Sequence, residues 1–343
     1  MLAYVVRGPE RAALEDADVP EPGPGEVRLR VAAVGLNHLD VFVRAGLEGP
    51  GIRPTQLPHV SGGDVAGHVD AVGEGVDGWA AGDRVTLYPG LGCGRCRACH
   101  AGEISMCPDY GVFGEQRWGG LAEYTIAPAA NLHRLPDHLT DAEAAAVPAA
   151  YTTAYRMLKT GGCGLGTRTL IIGAGGGVAT AALLLARAAG ATVYVTSGHE
   201  WKLARAAELG AVAGFAHSGG GIDEWAMEVT GGHGMDLVVD SVGAATWRQS
   251  IRSLAMGGAM AICGATSGDT PDISIRELYQ RHGRIVGAPI GGRPDFDRVM
   301  ELVAAGVVRP VVDRVFALSE VEHAFARLAS GDQFGKVVVQ ATA

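Results

Sequence analysis

Thr169-Leu-Ile-Ile-Gly-Ala-Gly-Gly-Gly-Val-Ala179, continued by Thr180-Ala-Ala-Leu-Leu-Leu-Ala-Arg-Ala-Ala-Gly190, is the segment from which the rest of the chain can be read. Residues 169–172 are a short apolar run of strand character. The glycines then turn the chain, and residues 180–189, dense in Ala and Leu, read as a helix that Gly190 stops. Strand, glycine turn and helix in this order make a dinucleotide-binding unit. Gly173, Gly175, Gly176 and Gly177 let the backbone turn sharply and approach a pyrophosphate with no Cβ in the way. From Val178 onward, the N–H groups that open the helix turn the positive end of its dipole toward the phosphates. A glycine-rich turn alone could be merely structural; the strand before it and the helix after it favour a cofactor. Ala179 takes the last small position, where close helix–strand packing is needed.

Outward from this unit the pattern is α/β. Strands are expected at residues 192–196, 212–215, 236–240, 259–263 and 284–288, with helices between most of them, as at 200–209 and 245–254. Six such strands describe a doubly wound parallel sheet. Residues 1–128 differ: they are rich in Gly, Pro and Val and carry short alternating runs such as Glu26-Val-Arg-Leu-Arg-Val31 and Gly67-His-Val-Asp-Ala-Val72. That texture predicts an antiparallel, partly barrel-like domain. Pro20, Pro22 and Pro24 mark an extended loop. Thr140 with Glu143 fits a capping box, and Ser319 with Glu322 a second one. Near the C-terminus a helix is expected at 296–305, and Val321, Ala324, Phe325 and Leu328 make one apolar helix face. The run Lys336-Val-Val-Val-Gln340 reads as a last strand returning to the first domain.

At 343 residues two domains are the natural expectation. An apolar content of 48% and a charged content of 19% suit a folded globular chain. The net charge of −9 argues against a nucleic-acid surface and against anionic membranes. No apolar run reaches the length of a bilayer span, since Arg187 interrupts the best candidate. The opening Met1-Leu-Ala-Tyr-Val-Val-Arg7 is too short and too soon polar for a signal peptide and reads as an edge strand. These features point to the cytoplasm, where cysteines stay reduced and free for metal.

Cys93-Gly-Arg-Cys96-Arg-Ala-Cys99 is followed by Cys107. Four thiols at this spacing in a glycine-rich loop suit a tetrahedral zinc. Four thiolates leave no open coordination position, so such a metal holds the loop and does no chemistry. Disulfides or free thiols are the alternatives, less favoured in a reducing compartment. His100 reads as a surface residue, and Cys163 and Cys263 as partnerless thiols.

A site for NAD usually carries an acid about 20 residues beyond the glycines, accepting from the ribose 2′-OH. Here the second strand ends Thr196-Ser197-Gly198-His199, with Lys202 and Arg205 one turn into the next helix. A small hydroxyl with nearby cations suits a 2′-phosphate, so NADP(H) is expected, with Ser197 and Lys202 as its contacts. Lys202 as an ordinary solvated helix residue is the alternative.

Many blocks in order resemble the medium-chain dehydrogenase/reductase superfamily, which holds the zinc-containing alcohol dehydrogenases, and within it the quinone oxidoreductase-like branch. They are Gly35-Leu-Asn-His-Leu-Asp40, Pro58-His-Val-Ser-Gly-Gly-Asp-Val-Ala-Gly67, Val72-Gly-Glu-Gly-Val76, Gly82-Asp-Arg-Val85, the cysteine loop, Pro148-Ala-Ala-Tyr-Thr-Thr-Ala-Tyr155, Asp240-Ser-Val-Gly243 and Phe334-Gly-Lys-Val337. The resemblance implies a GroES-like, mainly antiparallel catalytic domain formed by residues 1–128 and 289–343 around a Rossmann cofactor domain at 129–288. It also implies a cleft where nicotinamide meets substrate, and a homodimer through strands near 259–263 and 284–288. By the same resemblance Asn37 lies near the nicotinamide and Thr153 near its ring or ribose. Ser241, Val242, Gly264 and Ala288 stand at strand ends on the cofactor edge, and Lys336 reaches toward the cleft. The pocket is shaped by loops near 44–55, 111–118 and 267–274.

One departure is informative. The catalytic zinc of the alcohol dehydrogenases takes a Cys, a His and a second Cys, with a Glu beside the His. The matching positions here are Asn37, Gly63 and Ala149, with Asp64 for the Glu. No catalytic zinc is therefore expected. Hydride addition to an already electrophilic small molecule, a quinone or an α,β-unsaturated carbonyl, needs no Lewis acid. His38, Asp40, His59 and Tyr151 are the candidate proton donors or catalytic groups. For Asp40 the competing assignment is a structural carboxylate; for the histidines and Tyr151 it is pocket lining, packing or surface. Two other functions stay open: an alcohol dehydrogenase whose metal is held by His38, His59 or Asp64, and a nucleotide-binding protein without turnover.

Overall fold

The structure, a computed structural model, describes residues 1–46, 53–217 and 219–341. Residues 47–52 of the expected pocket loop at 44–55 lie outside the described residues.

The chain opens with strands β1 (Leu2–Gly8), β2 (Arg11–Asp16) and β3 (Glu26–Gly35), then helix α1 (His38–Ala45). Short strands β4 (His59–Val60), β5 (Asp64–Val72), β6 (Arg84–Leu87) and β7 (Gly90–Leu91) follow, then helix α2 (Arg97–His100). Next come β8 (Gly111–Val112), β9 (Tyr124–Pro128), β10 (Leu132–Arg134), α3 (Asp141–Ala145) and α4 (Pro148–Gly161). A strictly alternating section begins at β11 (Arg168–Ile171), α5 (Gly177–Ala188), β12 (Thr192–Ser197) and α6 (Glu200–Glu208). It continues with β13 (Ala213–Ala216), α7 (Ile222–Val229), β14 (Met235–Asp240), α8 (Trp247–Arg252), β15 (Leu254–Ile262), α9 (Ile275–Gln280) and β16 (Arg284–Gly287). Then α10 (Arg293–Ala304), β17 (Val312–Ala317), α11 (Val321–Ala329) and β18 (Lys336–Gln340) close the chain.

Two compact units result. One comprises Met1–Ala150, Gly292–Gly306 and Pro310–Ala343; the other comprises Tyr151–Gly291 with Val307–Arg309. The first unit runs past residue 128 because β10 pairs antiparallel with β6 and α3 packs on β3 and β5.

In the first unit a sheet runs β10-β6-β5-β3-β18-β17, with β9 also on β3. The alternation in β3 does what its period requires: Val27, Leu29 and Val31 are buried, while Arg28 points outward and pairs with Asp70 on β5 at 2.6 Å. The core beneath it takes in Val337 and Val339 of β18 and the α11 face Val321, Ala324, Phe325 and Leu328. Burying each larger side chain of that face contributes roughly 1.5–3 kcal/mol. β1 is a correction: it lies between β2 and β4 and is no edge strand, because its Tyr4 and Val5 are needed in the core. The Thr140–Glu143 capping box is present, with Glu143 N donating to Thr140 Oγ1 at 3.2 Å and Thr140 N to Glu143 Oε2 at 3.1 Å. The box expected from Ser319 and Glu322 does not form. Glu322 instead accepts from the Tyr4 hydroxyl and the Arg44 guanidinium.

The second unit is a six-stranded, all-parallel sheet in the order β13-β12-β11-β14-β15-β16. The chain reverses direction across the sheet between β11 and β14, which is where ligands of doubly wound sheets bind. Leu170, Ile172, Val238 and Met260 form part of its core, and α5 buries Ala179, Ala182, Leu183 and Ala186. β15 has neighbours on both sides, so of the two strands expected at a dimer edge only β16 is an edge.

Candidate active site

The glycine turn is built for an anion. Gly173 and Gly175 hold φ of 79° and 99°, a region L side chains rarely adopt. Ala174 N donates to Thr196 O at 2.7 Å, which ties the turn to the end of β12. The helix α5 starts at Gly177, three residues earlier than its composition suggests, because Gly176 is extended and serves as its N-cap. That cap has no side chain to accept from the first turn, so the N–H groups at Gly177 and Val178 meet no side-chain cap.

The neighbouring strand end is held by one carboxylate. Asp240, 1% exposed, accepts Val242 N at 2.8 Å and Gly243 N at 3.1 Å on Oδ1. Its Oδ2 accepts the Thr246 hydroxyl at 2.8 Å and the Ser250 hydroxyl at 2.7 Å. Ser241 and Val242 are thus fixed at the carboxyl edge of the sheet. Gly264 lies against them, since a Cβ there would meet Ser241 O at 2.8 Å. Ala288 is buried and donates its N–H to Ile262 O at 2.8 Å. From sequence Asp240 entered only as the first residue of a family block, with no role of its own, and Thr246 and Ser250 did not enter at all; the acid closing the apolar strand was the available signal.

At the end of β12, Ser197 Oγ accepts His199 N at 3.2 Å, which leaves the hydroxyl proton free to donate elsewhere. Lys202 is 6% exposed, with Nζ 5.4 Å from the centroid of the Trp201 ring. Arg205, the second expected cation, is turned to Glu208 on its own helix. Tyr151 and Thr153, at 1% and 6% exposure, lie on α4 in the second unit.

The first unit holds a polar cluster drawn from four distant parts of the chain. Lys336 Nζ donates to Asn37 Oδ1 at 2.7 Å and to Asp64 Oδ2 at 3.0 Å. Asn37 Nδ2 donates to the same Asp64 Oδ2 at 2.9 Å, and Ala149 N donates to Asp64 Oδ1 at 2.8 Å. Lys336, expected to reach toward the cleft, donates from its ammonium to this interior pair, and Lys336 and Asp64 are 3% and 0% exposed. From sequence Asp64 stood only in the place of the family's Glu and as an alternative metal ligand; its part here is to accept from Lys336, Asn37 and Ala149.

Asp40 supports the cluster from behind. Asn37 N donates to its Oδ2 at 2.7 Å and Gly62 N to its Oδ1 at 2.8 Å. With both oxygens held by main chain it is a structural carboxylate, correcting its place among catalytic candidates. Burial pushes its carboxyl up to about 6. His59 is likewise a correction: it is 2% exposed, and its Nε2 lies 2.9 Å from Gly114 O, so that nitrogen carries a proton and donates it there. His38 opens α1, and desolvation of its ring, with the Lys336 charge, lowers its pKa.

The residues facing one another here do not suit a catalytic zinc. Asn37 offers neither thiolate nor imidazole, and the ammonium sits between the two oxygens that a cation would share. Gly63 has no room for a ligand side chain, because a Cβ there would meet Phe113 O at 2.5 Å.

The cysteine loop does suit zinc. The sulfurs of Cys93, Cys96, Cys99 and Cys107 all lie within 4.8 Å of one another, with Cys93 and Cys99 at 4.0 Å. A tetrahedron of Zn–S bonds needs sulfurs about 3.8 Å apart. All six cysteines are free thiols. Main-chain donation from Arg95 brings the Cys93 thiol down to about 6, while desolvation takes Cys99 up to about 11.

Comparison with known proteins fits this geometry. An alcohol dehydrogenase GroES-like domain model matches residues 23–137, and a zinc-binding dehydrogenase model matches residues 177–305. The chain is 31% identical to an NAD-dependent alcohol dehydrogenase of Sulfolobus acidocaldarius, over 97% of each protein. It is 30% identical to an acryloyl-coenzyme A reductase of Metallosphaera sedula, over 99% of each. Among solved structures, an NAD-dependent alcohol dehydrogenase superposes with a TM-score of 0.95 at 40% identity, covering 100% of both chains.

Proposed function

Since this chain belongs to the zinc-containing alcohol dehydrogenase family of the medium-chain dehydrogenase/reductase superfamily and is an oxidoreductase, we propose that it reduces a quinone or an α,β-unsaturated carbonyl with NADPH, without a catalytic zinc. The observation that carries this reading is the Lys336 ammonium between Asn37 and Asp64, beside a Gly63 too crowded to bear a ligand. Simple alcohols and ketones need strong polarisation of oxygen, which this donor set is poorly made to give through a metal. A conjugated acceptor spreads the developing charge, and fixed donors can stabilise it. The acryloyl-coenzyme A reductase among the relatives, named for a conjugated acyl thioester, supports the same class of acceptor.

NADPH, when bound, supplies the hydride. Gly173, Gly175, Gly176, Gly177 and Val178 would hold its pyrophosphate; Ser241, Val242, Gly264 and Ala288 would line its path along the sheet edge, with Thr153 beside its ring or ribose. Ser197 and Lys202 would take the 2′-phosphate, the hydroxyl by donating its free proton and the ammonium by charge. One structural zinc on Cys93, Cys96, Cys99 and Cys107 completes the complement. Thiolates that must stay reduced to hold it fit the cytoplasm. We also propose a homodimer, formed through the β16 edge, which light scattering would detect as a doubled mass.

The reading is tested by NADPH and NADH oxidation against quinones, enones, enoyl thioesters and aldehydes, with zinc counted in the same preparation. About one zinc per chain and turnover of conjugated acceptors that resists chelation support it. The alcohol dehydrogenase names among the relatives favour a second reading, a metal-dependent enzyme with atypical ligands. A second, chelator-sensitive zinc required for turnover would establish that reading and reject the first.

A further inference from the structure

Lys336 and Asp64 form an ion pair that the interior has no thermodynamic need for. Burying two charges is costly before they attract one another, and replacing such a pair with apolar residues of like size is often neutral or stabilising. The surrounding backbone nevertheless makes room for it. Gly35 carries no Cβ, and one there would stand 3.1 Å from Lys336 Cε and 2.2 Å from Ala145 O. Gly335, at φ 97°, delivers the chain to Lys336, where a Cβ would meet Val311 O at 2.4 Å.

The pair does one thing that an apolar substitute could not. An asparagine amide has two orientations of nearly equal shape. Here Lys336 Nζ donates to Asn37 Oδ1 while Asp64 Oδ2 accepts from Asn37 Nδ2, so only one orientation satisfies both partners. Asp40 holds the Asn37 main chain from the other side, and Ala149 N fixes the second oxygen of Asp64. Two of the three Lys336 protons are thereby assigned, and the positive charge of the site is carried by the protein itself.

We propose that Lys336 is a positioning residue for acceptor reduction: its ammonium is the fixed cation that locks the Asn37 amide and the Asp64 carboxylate in place, making the site independent of a divalent metal. This rests on the function proposed above, and one arm of its test does not require turnover.

The chain has two asparagines, Asn37 and Asn131, so selective 15N-asparagine labelling yields two side-chain amides and no overlap. Asn131 Nδ2 donates to Tyr88 O at 2.7 Å and Gly90 O at 2.9 Å, which makes it an internal reference. In Lys336→Met the Asn37 amide protons should exchange at least about tenfold faster while Asn131 stays unchanged. With the best acceptor, kcat should fall on the order of tenfold to a hundredfold, with cofactor KM within about twofold. Lys336→Ala should recover part of its kcat with added ethylammonium, and none with zinc or magnesium, a pattern that a merely structural loss would not show. The proposal is overturned by an Asn37 amide that is unchanged in Lys336→Met, by loosening of Asn37 and Asn131 together, by an unchanged kcat, or by rescue with a divalent metal. If the wild-type protein reduces no acceptor, the functional reading falls, and the amide spectrum still decides whether Lys336 locks Asn37.

Discussion

Asp240 accepts the hydroxyl proton of Thr246 at 2.8 Å, and this one bond ties the carboxyl end of β14 to the residue that opens α8. The other carboxylate contacts hold Val242, Gly243 and Ser250, so one buried side chain organises the strand end on which Ser241 and Val242 sit.

Asp240→Ala should therefore cost about 3–5 kcal/mol, since two hydroxyls and two main-chain N–H groups lose their acceptor at once. Urea unfolding measures the loss. NADPH affinity, read by fluorescence of the reduced nicotinamide, should weaken in the same variant. A variant of wild-type stability would show that the four donors find other partners.

The 2′-phosphate assignment predicts a split between cofactors. Lys202→Ala should raise the KM for NADPH by about tenfold or more and leave that for NADH within about twofold. Ser197→Asp should invert the preference, because a carboxylate repels the phosphate and accepts from a ribose hydroxyl. Equal effects on both cofactors in steady-state kinetics would remove Lys202 from the site.

Replacing Cys93 with Ser should lower the metal content from about one zinc per chain to near zero. Residues 90–110 should then become the first site cut in limited proteolysis, as the loop has little apolar burial of its own. Metal analysis with mass mapping of the fragments checks both. A metal-free wild-type protein with an intact loop would contradict the assignment.

Asp40 gives a pH dependence of definite sign. Desolvation raises its carboxyl from an ordinary 3.8 to about 6, so the folded chain keeps that proton through a range where the unfolded chain has lost it. The stability this group contributes is greatest in acid and is lost as pH rises through about 6. The stability of wild type relative to Asp40→Asn should thus shrink by up to about 3 kcal/mol from about pH 4 to about pH 7. Urea titrations at each pH give the difference, and a gap that widens toward neutrality would refute the sign.

The family and the two kinds of sheet were legible in the linear chain because both rest on local rules. A glycine turn between an apolar strand and an alanine-rich helix, six strands spaced by helices, and the thiols of Cys93, Cys96, Cys99 and Cys107 all lie within short stretches whose geometry follows from backbone sterics and ligand count. Boundaries moved where capping competed with composition, as at Gly176, and where a side chain found a better partner far away, as Glu322 did in Tyr4 and Arg44.

What folding alone decided is the company each charged group keeps. Nothing within a few residues of Lys336 marks it as the partner of Asn37 and Asp64, 299 and 272 positions earlier. Nor does the neighbourhood of His59 show that its ring would be taken up by Gly114 O, or that of Asp40 that its second oxygen would be taken up by Gly62 N. Secondary structure is set by neighbours in sequence, whereas the pairing of a buried charge is set by whichever polar atoms the packed backbone brings within about 3 Å of it.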